Sequence, residues 1–327
     1  LYPLKVAEAE YLSSRAAVAS FSAIANVRAE AGLRLRIEAT SGLALSDVSP
    51  TELPVYFDGA EAVPGELYRQ FIGETVAVIA RDPNSAGGRG SWHHLPPPEQ
   101  MGFDDDEALL PAEQRSFRGY RILSEYFACP ERFLFGRFVQ PGKAFAHCTT
   151  SCDIILLFSR SSPVLTGAIG PTNFRLFATP AINLFEKQLG RVQLTPHQHE
   201  FHVVPDRTRP LDFEIFRITD VKAQIRDAVD SRPVAPLYAL GALLYDWRDA
   251  IFYVPRTTPR RLSTKEQRLR RRTDYVGTET WVSLTAPGNP ERLEDVRELA
   301  VKALVTNREL PELLTFRGTD HFTPPGG

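Results

Sequence analysis

Three clusters carry residue types that could do chemistry: histidines at 197, 199 and 202, cysteines at 148 and 152, and a carboxylate run at 104–107. In HQHEFH the spacing puts His197 and His199 on one face of an extended strand and His202 on the other. Three imidazoles from one straight strand do not converge on one ion, and zinc needs three or four ligands, each held by a helper. A metal-dependent hydrolase built on His197 and His199 is one alternative that follows; a polar strand edge is the plainer reading. Cys148 and Cys152 stand four apart, and with Cys129 make three thiols, so a closed zinc site would have to borrow a histidine such as His147. The plainer reading is a reduced, mostly buried set in a reducing compartment. Asp104, Asp105, Asp106 and Glu107 are adjacent, whereas a hard cation wants ligands converging from spaced positions; acids at the start of a short helix need no ion. No metal, cofactor or catalytic set is expected. Gly-x-Ser-x-Gly, Walker A and Gly-x-Gly-x-x-Gly motifs are all absent.

One further stretch could act through charge. From 256 to 273 the chain carries Arg256, Arg260, Arg261, Lys265, Arg268, Arg270, Arg271 and Arg272 against Glu266. Such a stretch neutralises phosphates or meets an acidic protein surface. No aromatics interleave the arginines, which argues against stacking on single-stranded nucleic acid. The basic nucleic-acid-binding adaptor is thus a second alternative, and a solvated loop or a protein contact the preferred one. The chain as a whole, 327 residues with formal net charge −2, has no global drive toward nucleic acid or membrane. Its longest apolar run, 154–158, is far too short to span a bilayer.

The elements that position these residues read as β-rich. Twenty-six prolines favour short strands and structured loops over long helices. LRLRIEA alternates with period two, which predicts a half-solvated strand with Leu33, Leu35 and Ile37 inside. Strands are also expected at LPVYF, 75–80, DIILLFSR, 174–177, HEFHVV, 251–254 and ETWVSLT, while 294–306 fits strand or helix. Residues 83–102 read as an exposed linker rich in Gly, Pro and Ser. The stretch 116–139 is dense in aromatics: Phe117, Tyr120, Leu123 and Tyr126/Phe127 recur at steps of three and four. This predicts a helix with Ser116 as N-cap and Pro130 as stop, then a buried strand over 133–139. The apolar stripe is expected to be core, leaving Arg118, Arg121 and Glu125 as a charged outer face and a candidate partner contact.

The expected class is α+β, with several small sandwich-like or mixed sheets joined by proline-rich linkers. The expected parts are a helical connecting segment over 1–32 and a small α+β wing domain with linker over 33–101. A central helix with a second β-rich domain follows over 102–235, then a third, incomplete β-rich part over 236–327. The chain begins at Leu1 with Met101 its sole methionine, so it reads as a piece of a longer protein.

GFDDDEALLP, FRGYRILSEYFACPERFLF, LFATPAINLFEK, HEFHVVPDRTRPLDFEIF and LVTNRELPELL follow one another in this order. Together they resemble the TssF family (also VasA or ImpG) of type VI secretion baseplate wedge subunits, over residues 102–314 most closely. Family chains usually carry cysteine where this one has Ala178 and Val305, which argues against a metal role for those positions. The resemblance implies a non-enzymatic structural role, similar in architecture to contractile-tail phage baseplate wedges. It further implies partners: a second TssF copy, TssG, TssK and TssE, assembled around the VgrG spike and Hcp tube to start the sheath. Nucleic acid is not among them. The implied location is the bacterial cytoplasm, with the baseplate docked at the inner membrane through the membrane complex and no span in this chain.

Overall fold

The computed structural model describes residues 2–40, 42–85, 91–111, 117–195, 197–226, 229–238, 248–261 and 275–313. Two units, Leu1–Ile182 and Asn183–Gly327, each hold their own contacts. The division falls inside the stretch 102–235 that the sequence suggests as one part.

In the first unit the chain forms β1 (Leu4–Leu12), α1 (Arg15–Ala25), β2 (Ala31–Ala39), β3 (Glu52–Phe57), α2 (Val63–Tyr68), β4 (Thr75–Arg81) and β5 (His93–Leu95). Then come β6 (Glu99–Gln100), α3 (Arg118–Ala128), β7 (Phe135–Val139), α4 (Gly142–Phe145), β8 (Ser151–Phe158) and β9 (Phe174–Leu176). One antiparallel sheet has the order β1-β2-β8-β4-β5, a second the order β6-β7-β3-β9. Every residue of β8 is buried, because both faces of its sheet are covered. Ile154, Leu156 and Phe158 enter the core shared with the second sheet, and Ile155 and Leu157 enter a smaller core beneath α1. Phe71 anchors the larger core, its ring 5.0 Å from Phe57 and 5.1 Å from Phe138.

Residues 1–32 are not a connecting segment. β1 pairs with β2 along its length, and α1 starts on Ser14, whose Oγ accepts from the Ala17 amide, and ends on Asn26 at φ 55°. The polar face of β2 is spent on cross-strand ion pairs: Arg36 meets Glu8 of β1 and the buried Asp153 of β8, 2.7 Å from each. The 83–102 stretch also does more than link. β5 and β6 pair with β4 and β7, Leu95 is buried, and Trp92 lies under Arg81 and against the edge of Phe21.

The second unit contains β10 (Phe185–Gln188), β11 (Val192–Gln193), β12 (Phe201–Val203), β13 (Glu214–Ile225), β14 (Ser231–Pro233), β15 (Ala235–Pro236), β16 (Phe252–Pro259), β17 (Thr278–Thr285) and β18 (Val296–Thr306). One sheet runs β10-β18-β13-β14 with β11 also on β18; the other runs β12-β17-β16-β15. β18 resolves the ambiguity over 294–306 as strand. Its Leu299, Val301, Ala303 and Val305 alternate into a core shared with Ile218 and Val221 of β13 and Val282 of β17. The fold is strand-rich, in several small sheets, as expected.

Candidate functional site

The helix expected between Ser116 and Pro130 is α3, and its orientation is the reverse of the expected one. Phe117, Tyr120, Leu123, Tyr126 and Phe127 are 72%, 64%, 53%, 51% and 81% exposed. The stripe read as core is a solvent-facing ridge. The other face is turned in, because its charges find partners there. Glu125 accepts from the amides of Leu109 and Leu110 at 3.1 and 2.9 Å, and pairs with Arg132 and Arg121. Arg132 in turn donates to the Glu107 carbonyl at 2.8 Å and lies 4.5 Å over the Phe133 ring. A carboxylate with two amide donors and two guanidinium partners can be buried without an orphaned charge. Thus Arg121 and Glu125 are not an outer face, and only Arg118 of the three stays half exposed.

The local sequence explains the helix ends. Cys129, before Pro130, leaves the helical region at φ −156° and ψ 83°, since a following proline disfavours that region. A turn over Pro130–Phe133 then leads into β7. Ser116, the expected N-cap, lies outside the described residues. The carboxylate run is a turn, and its acids serve arginines in place of a helix dipole. Asp104 pairs with Arg118, and Asp105 with both Arg118 and Arg121. Glu107 accepts from the Gly102 amide at 2.6 Å.

The histidine cluster does not form. His197 and His199 sit exposed in turns ahead of β12, which begins at Phe201. A backbone bond from Gln198 to Thr195 bends the chain away from the sheet, which hydropathy alternation cannot reveal. His202 stacks on Trp281 at 4.7 Å and borders a small cavity of about 100 Å³ with Phe213, Ile215, Arg260 and Glu279. Burial lowers its pKa. Cys148 and Cys152 are buried free thiols and Cys129 is exposed. A hydrogen bond with Cys148, and burial, raise the Cys152 thiol well above its ordinary value, so it stays protonated. His93 and His147 stack at 4.1 Å. Among the described residues, no group of three or more His, Cys, Asp or Glu could hold a metal.

Of the basic stretch, Arg256 lies on β16 and pairs with Glu200, and Arg260 donates to the Pro210 carbonyl at 2.6 Å. Arg261 is exposed; Arg268, Arg270, Arg271 and Arg272 lie outside the described residues. No helix of the described residues is long and apolar enough to cross a membrane.

The surface that stands out is therefore the α3 ridge, which periodicity located and assigned to the wrong side. Comparison with known proteins bears on what carries it. A solved assembly, the type VI secretion system TssK-TssF-TssG baseplate subcomplex, contains a chain of similar fold: TM-score 0.67 at 19% identity, covering 94% of this chain and 51% of that one. The type VI secretion system component TssF1 of Pseudomonas aeruginosa is 38% identical over 315 residues, 95% of this chain and 50% of its own length. The chain thus spans about half the length of the relatives it matches. A family model described as "Type VI secretion system, TssF" matches residues 1–327, and with that identity the chain belongs to the TssF family.

Proposed function

We propose that this chain is part of a structural subunit of the type VI secretion baseplate wedge, acting by holding neighbours in place and not by catalysis. Family membership supports the reading, and so does a relative's place in an assembly named for TssK, TssF and TssG. The observation that carries it is the α3 ridge: five large apolar side chains, each at least half exposed, on a helix anchored from behind by a buried ion network. Aromatic side chains held rigidly in solvent are what interface cores are made of. In this reading TssG and TssK are direct neighbours, and a second copy of the protein and TssE complete the wedge. Wedges then surround the VgrG spike and Hcp tube and start the sheath, in the bacterial cytoplasm with the baseplate docked at the inner membrane.

The test is co-expression of the full-length protein with TssG and TssK from the same organism, followed by size-exclusion chromatography and native mass spectrometry. A stable complex with two copies of the protein per TssG is expected. A protein that elutes alone beside both would sink the proposal.

A further inference from the structure

The α3 ridge has a shape and a charge that restrict what can cover it. At 150–250 Å² for each aromatic side chain, the exposed parts of its five residues amount to roughly 600 Å². That equals or exceeds the largest apolar patch of a typical monomer, roughly 300–600 Å². It would also form most of one side of a standard interface, roughly 800 Å² per partner. The spacing, with anchors at 117, 120, 123 and 126/127, is that of a helix laid into a groove. Beside the ridge runs an acidic border. Asp104, Asp105 and Asp106 are exposed on the turn that Arg118 and Arg121 hold against α3, and Glu131 is exposed past its C-terminal end. Arg118 pairs with Asp104 and Asp105, and Arg121 with Asp105, so the net charge of the border rests on Asp106 and Glu131.

We infer that α3 docks, as a convex ridge, into an apolar groove edged by lysine or arginine on a different protein chain of the baseplate. This rests on the wedge reading above and names the surface it uses. A second copy fits less well. Two three-turn helices crossing ridge to ridge touch over only part of their length, leaving rings uncovered. The same contact brings two acidic borders together, and like charges across an interface cost affinity. A basic-edged groove covers the rings and pairs the border.

The experiment uses the full-length protein with TssG and TssK, comparing wild type with Tyr120→Ser/Phe127→Ser and with Asp106→Lys/Glu131→Lys. All four positions are exposed, so thermal unfolding of the free variants should match wild type. The ring variant should weaken capture of one partner by about 30-fold or more, as loss of an interface anchor does. The acid variant should slow association about tenfold and flatten its salt dependence. Amide exchange across 118–128 should slow in the wild-type complex. Wild-type affinity in both variants would overturn the inference and leave the wedge reading standing. So would a ring variant that loses only self-association, which would assign the ridge to a second copy. A wild-type protein that binds neither partner would remove the wedge reading, and the inference with it.

Discussion

Glu125 decides which way α3 faces. Its side chain is 2% exposed and that of Arg132 is 1%, so neither charge can fall back on water. Removing one partner of such a pair costs about 3–5 kcal/mol, most of it from the charge left behind. Glu125→Gln should therefore lower the urea-derived stability of the first unit by about 3 kcal/mol. Glu125→Leu combined with Arg132→Met should recover only part of that loss, because the two charges leave together but the amides of Leu109 and Leu110 lose their acceptor. A second residue sets part of the acid response. Hydrogen bonds from Arg69 hold the Glu66 carboxyl at about 2, against an ordinary 4.5. The folded state thus binds this proton more weakly than the unfolded state. Stability from Glu66 is complete above pH 4.5 and is lost as pH falls toward 2. A pH series of urea midpoints should be shallower over that window for Glu66→Gln than for wild type.

At the scale of elements, periodicity locates a face but not its neighbour. The step of three and four in 117–127 identified the helix and its stripe correctly. It could not show that Leu109, Leu110, Arg121 and Arg132 converge on Glu125, since three of these lie seven or more residues away along the chain. The strands were more legible. β2, β3, β4 and β8 fall where alternation or a short apolar run predicts them, because each spans a sheet whose faces repeat every second residue. Of the expected strand HEFHVV only Phe201–Val203 forms, as β12, where pairing with β17 exists. One element-level contact leaves no trace in hydropathy. At Gly136 of β7 a Cβ would stand 2.6 Å from the Phe71 ring. Gly136→Ala should therefore overpack the aromatic core and cost about 1–3 kcal/mol, read as a lower melting temperature with the secondary structure content unchanged.

On the scale of the whole molecule, each unit owns a core. The first is built around Phe57, Phe71 and Phe138, the second around β13, β17 and β18. Residues 1–182 and 183–327, produced separately, should each unfold cooperatively and give dispersed amide spectra. A second unit that binds hydrophobic dye and melts without a transition would show that its core depends on the first. Neither the division at Ile182 nor the place of β1 could be read from composition, because β1 enters a sheet in which β8 pairs with β2 across more than a hundred residues and also with β4.

What the sequence determined by itself was local and additive: the β-rich class, the alternating strands, the helix stop before Pro130, and the ordered motifs of the TssF family. These depend on neighbours a few residues apart or on strings that are compared directly. Only the tertiary structure decided which side of each element is inside. It buried Glu125 and exposed Phe127, and it left His197 and His199 apart in turns. The reason is that burial is a property of what lies opposite. A charged face can be core once distant amides and guanidinium groups satisfy it, and an aromatic face can be surface on a chain whose partner is another protein.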